Sequence, residues 1–259
     1  MIIEIYKRIG ETTGDLANRI KKEYNADKVA ICGKLDPMAR GITTALIGDS
    51  TKLMDSHLTT IKTYEFKLVL NIKTDTDDIM GIISHHNKQA INHEYILNCK
   101  SKINELCESK TQHFHPFSAI KVRMEHGYNN GERHSLHYWA LKGNLKMSDL
   151  PTKSVNVFEK EFGNAYSISY NSYHKQIINR LSKVKDHQKE VFRVPLITDS
   201  WNSNLVNKTH SSDTLTILPI KMTVSSGFYI RMLSYYLKSY FDIDSHIFDI
   251  HRTEINQSF

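Results

Sequence analysis

The sequence predicts an α+β fold: a mixed, largely antiparallel central β-sheet flanked by helices, with peripheral insertions. Three observations carry this expectation. Tyr64 to Ile72 and Ile220 to Val224 alternate apolar and polar residues, the period of half-buried strands. Other stretches carry apolar residues at helical spacing, such as Ile96, Cys99, Ile103 and Leu106. The two kinds of element do not follow one another in the regular βαβ order that a parallel sheet demands. At 259 residues the chain is long enough to bury a sizeable core. One domain over 1–259 is expected, with insertions near 123–150 and 171–213.

Taken in order, Thr12 and Thr13 can cap a helix with the apolar stripe Leu16, Ala17, Ile20 and Tyr24, Asp15 in its first turn and Lys21 and Lys22 near its end. Ala30 to Ile47 keeps neither period and contains Gly33, Pro37, Gly41 and, just beyond, Gly48, so it reads as loop-rich. The strand of Tyr64, Phe66, Leu68, Leu70 and Ile72 runs into a polar turn, Thr74-Asp75-Thr76-Asp77-Asp78. A helix over Ile96 to Leu106 follows, then a histidine-bearing loop and a short strand around Phe117 to Val122. Residues 123–150 are polar, with a turn at Asn129-Asn130-Gly131. Ser154 to Phe158 alternates again. Tyr173, Ile177, Leu181 and Val184 then form the stripe of a basic helix, followed by a polar stretch to Asp213. A strand over Ile220, Met222 and Val224 ends at Ser225-Ser226-Gly227. The next helix has the stripe Ile230, Leu233, Leu237 and Phe241, which sets Arg231 beside the buried face. Ile247 to Ile250 is a last, short strand.

Composition narrows the class. Net charge is +6, from 34 Lys and Arg against 28 Asp and Glu, a modest excess suited to a polyanion but uninformative without a site. Cys32, Cys99 and Cys107 are odd in number and lack CxxC spacing, which argues against a disulfide framework or a zinc ribbon. The N-terminus has no basic and apolar leader pattern, and no later stretch reaches the ~20 apolar residues of a membrane span. A soluble intracellular protein is expected.

Asp36, followed by Pro37 and set among glycines, has a defined backbone path, because proline fixes its own φ and keeps its predecessor from helical angles. By itself that dipeptide is turn chemistry. The wider wording changes its standing. Gly33-Lys34-Leu35-Asp36-Pro37-Met38-Ala39-Arg40-Gly41, with Leu46 to Leu53 after it, resembles the catalytic motif G-x-L-D-P-x-A-x-G and its L-G-x-x-T-K sequel in the bacterial-type tRNA pseudouridine synthase B family. The resemblance continues in order. Lys7 to Thr13 is similar to K-P-x-G-x-T-S, Tyr64 with Thr74 to Gly81 to the Y and T-D-T-x-D-x-x-G segment, and His115 to Val122 to P-P-x-Y-S-A-x-K-V. Ala140 to Gly143 and Pro151 to Val157 resemble A-R-x-G and R-x-V-x-V. Ser226 to Arg231 resembles S-G-T-Y-I-R, and His251-Arg252-Thr253 the closing L-R-R-T.

The resemblance implies a pseudouridine synthase fold and isomerisation of a flipped-out uridine, with Asp36 as catalytic carboxylate acting as nucleophile or base. It implies that Tyr64 stacks on the uracil and that Arg231, at bidentate range, orients Asp36 and holds it ionised. Tyr229, Lys121, Lys34 and Gly33 are expected to contact substrate. Neither cofactor nor metal is implied. The expected partner is tRNA, through its T-arm and T-loop uridine, with no membrane and no obligate protein partner. Departures fall on the recognition side. Ile31 stands where relatives often carry a histidine, and Arg8, Phe117 and Leu141 replace the motif's Pro, Tyr and Arg. The chain ends soon after Thr253, so no C-terminal PUA-type RNA-binding module is expected.

Rival readings have weaker support. Asp75, Asp77 and Asp78 could hold a cation, but no phosphate loop accompanies them. His113 with His115, or His85 with His86, could bind metal, but among 14 histidines close pairs arise by chance. A silent RNA-binding or RNA-folding protein on the same scaffold is the more serious alternative.

Overall fold

The computed structural model describes residues 1–123, 133–143, 145–206 and 213–257. Its first half contains β1 (Ile2–Lys7), α1 (Thr13–Glu23), β2 (Val29–Cys32), β3 (Arg40–Ile47), β4 (Thr60–Leu70), β5 (Ile72–Thr74), β6 (Ile83–His86), α2 (His93–Glu108) and β7 (Thr111–His113). Then come β8 (Lys121–Arg123), β9 (Arg133–Ser135), α3 (Leu136–Leu141), β10 (Thr152–Ser154), β11 (Val157–Phe162) and β12 (Tyr166–Ser169). The chain continues through α4 (Tyr170–Leu181), α5 (Asp186–Lys189), α6 (Val194–Leu205), β13 (Thr214–Val224), α7 (Arg231–Phe241) and β14 (Ser245–Gln257).

The central sheet runs β1-β3-β14-β4-β13-β11, with β2 beside β3 and β12 beside β13. Every pair in it is antiparallel except β14 with β3, which meet in parallel at His251–Arg40 and Arg252–Gly41. This is the mixed, largely antiparallel α+β architecture that the alternating strands predict. Helices cover both faces. On one, Tyr64, Phe66, Leu68 and Leu70 of β4 pack with Ile103 of α2 and Leu233 and Leu237 of α7. On the other, Val69, Ile217 and Phe248 pack with Tyr173, Ile177 and Leu181 of α4 and Ile197 and Trp201 of α6. A third cluster seats Leu16 and Ile20 of α1 on Ile31, Ala45 and Ile47. α1 begins with the expected cap: the Thr12 side chain accepts from the Asp15 N–H, and Asp15 answers on the Thr12 N–H.

Several expectations need correction. Residues 30–47 form two paired strands around a short loop, because Gly33 to Ala39 alone breaks the pattern. Ile72 leaves the face of Leu70 for the opposite cluster, since Asn71 takes a left-handed backbone (φ 72) that interrupts the strand. The turn after it is buried: Thr74, Thr76, Asp77 and Asp78 are nearly solvent-free. Tyr24 lies exposed past the end of α1. The short strand expected from Phe117 starts only at Lys121, and the one at Ile247–Ile250 is the middle of the 13-residue β14.

Both stretches read as polar insertions hold core residues. Leu136 and Trp139 of α3 are buried, and α6, unforeseen in a polar stretch, buries Val194, Ile197, Trp201 and Leu205. Asn129-Asn130-Gly131 lies outside the described residues. Among the described residues no helix is long and apolar enough to cross a membrane, and all three cysteines are free and buried.

Candidate active site

The chain segments that bear the motifs converge on one cavity. The loop between β2 and β3 carries Asp36, β4 contributes Tyr64, the turn after β5 brings Thr76 and Asp78, and α7 opens with Arg231. They line a cavity of about 680 Å³. Gly33, Lys34 and Tyr229 line it too, so six of the seven residues expected at the site meet there. Lys121 does not. It lies exposed on β8, and its neighbour Ile120 lines the cavity instead. Ile31 is buried in the α1 cluster, away from the cavity lining.

Arg231 is 4% exposed rather than beside the buried face. Its Nε donates to Asp36 Oδ2 at 2.9 Å, its Nη1 to the Thr76 carbonyl at 2.9 Å and its Nη2 to the Phe117 carbonyl at 3.2 Å. The pair with Asp36 is therefore single-pronged, not bidentate, because the rest of the guanidinium is engaged by the backbone. Burial opposes the arginine's charge, but Asp36 and Asp78 outweigh it and raise its pKa. Asp36 itself is partly open, its side chain 39% exposed.

The floor beneath the arginine is a buried polar network, whose Asp77, Asp78 and His115 the sequence offers only as rival metal ligands. Asp78 Oδ2 lies 3.7 Å from Arg231 Nε, while its Oδ1 accepts from Thr76 and from the Met80 N–H. Burial lifts the Asp78 carboxyl to about 6 despite Arg231, and the charge of Asp36 adds to the rise. His115, fully buried, has its Nε2 against Asp77 Oδ2 at 3.0 Å and its Nδ1 facing the Phe117 N–H and Arg231. Those partners fit a neutral ring protonated on Nε2. Burial, then Arg231, pushes its pKa down to about 4. Asp77 also meets Lys73 and Ser234 and stays below the usual carboxylate range, its burial outweighed by His115 and Lys73.

The loop that carries Asp36 is clamped from below. Lys7, fully buried at the end of β1, donates to the carbonyls of Pro37 and Ala39, and the Gly10 N–H donates to the Pro37 carbonyl. Burial lowers the Lys7 ammonium to about 8, with Asp36 working the other way. Tyr229 is held by a reciprocal pair of hydrogen bonds between its backbone and the Gln112 amide. Burial, then the nearby Asp36, pushes its hydroxyl up to about 12, so it stays protonated.

Beside Gly33 the lining is cationic. Arg252 is fully buried, donates to the Gly33 carbonyl, and has an Nη2 with no hydrogen-bond partner among the described residues. Lys62 is lowered to about 8 by burial and by the charges of Arg252 and Lys153. An anionic ligand would relieve all three. The carboxylates of the turn, by contrast, each have their own partners, Asp75 with Arg193 and Asp77 with Lys73 and His115. Among the described residues no group of three or more His, Cys, Asp or Glu is arranged to hold a metal ion.

Such an arrangement can steady an ionised carboxylate next to an aromatic wall and a strip of positive charge. The chain is similar in sequence to known proteins. Residues 21–138 match the model of the TruB family pseudouridylate synthase N-terminal domain. A tRNA pseudouridine synthase B of Ureaplasma urealyticum is 31% identical over 185 residues, which cover 71% of this chain and 72% of the relative. The enzyme of that name from Prochlorococcus marinus is 34% identical over 131 residues, 50% of this chain and 40% of the relative. That from Clostridium tetani is 36% identical over 129 residues, 49% and 44%. The matched stretch is thus less than half the length of the latter two relatives. Among solved structures, a chain of a Cbf5-Nop10-Gar1 complex aligns with 98% of this chain and 48% of its own length, at 14% identity and a TM-score of 0.46.

Proposed function

The chain belongs to the TruB family of pseudouridylate synthases, and from that premise we propose that it isomerises a uridine of RNA to pseudouridine through Asp36. The observation that carries this is the 2.9 Å pairing of Asp36 with a buried Arg231 in a cavity lined by Tyr64. In the reaction the C1′–N1 bond breaks, the uracil turns, and C5 bonds to C1′, while the C5 proton leaves for solvent and N1 takes up a proton from it. A carboxylate that meets the sugar or base directly can assist as nucleophile or as base. Arg231 orients Asp36 through the 2.9 Å hydrogen bond, and Tyr64 supplies the ring face on which the extruded uracil rests. Tyr229 and the backbone at Gly33 and Lys34 close around the nucleoside.

Lys62 and Lys153, reinforced by the charge of the buried Arg252, attract the RNA's phosphates. The RNA is a tRNA, in keeping with the name the relatives carry, and the T-loop uridine is the target that the motif resemblance implies. The test uses a T-arm stem-loop carrying 5-tritiated uridine. Wild type should release tritium to water, and Asp36→Asn should bind the same RNA while release falls by at least about a hundredfold. Undiminished release by the variant would exclude Asp36 as the reacting group. Binding by wild type with no release from any tRNA would leave an RNA-binding protein instead.

A further inference from the structure

The helical segment α4–α6 lies beyond the residues that match the family model, which end at 138. It nevertheless builds part of the cavity wall, for Val191, Phe192 and Arg193, in the turn before α6, line it with Asp36 and Tyr64. This turn is tied down on both sides. Gly10 has φ +81, and a Cβ there would sit 2.4 Å from the Lys183 carbonyl oxygen, so the two backbones touch. Lys185 donates to Asp15 at 2.6 Å, and Gln188 donates to Thr12 and Asp15. At the other end Arg193 donates to Asp75 at 2.8 Å.

Arg193 also holds a left-handed backbone (φ 56, ψ 28), which a residue with a Cβ adopts only when its surroundings impose it. Its guanidinium lies 5.4 Å from the centre of the Phe117 ring. The Phe117 carbonyl in turn accepts from Arg231. One residue therefore separates this wall from the pair at Asp36.

The chemistry of this wall differs from the cationic one. Val191 is 75% exposed and Leu141, on the same cavity's lining, is 51% exposed, and Phe192 and Phe117 are half-buried on that lining. Exposed apolar groups beside an aromatic ring and a guanidinium plane suit a flat, apolar-faced ligand with charge only at its edge. An unpaired nucleobase is such a ligand, and stacking on aromatic and arginine planes is how single-stranded bases are held. The wall is continuous with the uridine cavity, so the base it reaches is a neighbour on the same strand.

We propose that the Val191–Arg193 turn, with Leu141, is a stacking platform for an unpaired nucleobase adjoining the isomerised uridine, through which α4–α6 selects the RNA. This rests on reading the cavity as a uridine site. The probe is a T-arm stem-loop with fluorescent 2-aminopurine at either neighbour of the target. Wild type and Asp36→Asn should both quench it on binding. Val191→Asp and Leu141→Asp change exposed positions, so their melting curves should match wild type. They should lose the quenching and raise KM for the RNA about tenfold with kcat within twofold. Wild-type turnover with both variants matching it in KM and quenching would overturn the platform alone. Quenching by wild type without tritium release, lost in both variants, would support the platform and remove the isomerase reading. Wild type that binds no RNA would remove both.

Discussion

Arg231 donates to one carboxylate and two backbone carbonyls and abuts a histidine nitrogen, a set that a single ammonium cannot span. Arg231→Lys should therefore lower kcat by at least about a hundredfold and cost about 2–4 kcal/mol of stability, because buried carbonyls lose their donors. Tritium release and urea unfolding would check the two effects; a variant with near wild-type kcat would mean that Asp36 needs no fixed orientation. At this scale Asp36, Tyr64 and Arg231 were legible through motif wording. Lys7, Asp78 and His115 were not assigned roles, because a buried charge and a surface charge are the same letter. Lys121 keeps its motif position, yet it lies exposed on β8 outside the cavity lining, a placement that motif wording does not specify.

Among the elements, β3 and β14 meet over only two residue pairs, and that contact depends on Gly41. A Cβ there would lie 2.1 Å from the Arg252 carbonyl oxygen, at φ +125. Gly41→Ala should cost about 2–4 kcal/mol and loosen Arg252 from the Gly33 carbonyl, seen as a lower urea midpoint together with weaker RNA binding. On the other face, Trp201 of α6 is fully buried against Tyr173 and His246. Trp201→Ala should cost about 3–5 kcal/mol; a loss under about 1 kcal/mol would mean that α6 contributes little to the core. The stripe of α4 could be read from its spacing. That of α6 was obscured, because Asn, Ser and Thr on its solvent side dominate the local composition.

For the molecule as a whole, pH dependence follows from its buried titrating groups. Burial pushes His115 and His246 each down to about 4. Between pH 6.5 and 4 the unfolded chain therefore binds protons that the folded one refuses, and stability falls with pH by roughly 3 kcal/mol for each ring. Asp78 acts oppositely: its carboxyl, raised to about 6, keeps a proton that the unfolded chain releases, so its contribution is present below about pH 4 and lost as pH rises to 6. The urea midpoint of wild type should drop from pH 6.5 to 4, less steeply in His246→Gln and more steeply in Asp78→Asn. Parallel pH slopes in all three would show that these groups do not titrate on unfolding. The sequence by itself determined the strand and helix periods, the cap of α1 and the motif that marks Asp36, because these depend on neighbours within a few residues. Only the tertiary structure decided how Arg231 is held, which carboxyl is lifted by burial, and that α4–α6 forms a wall of the cavity. Those outcomes depend on desolvation and on contacts between residues as far apart as 195 positions, the separation of Asp36 and Arg231.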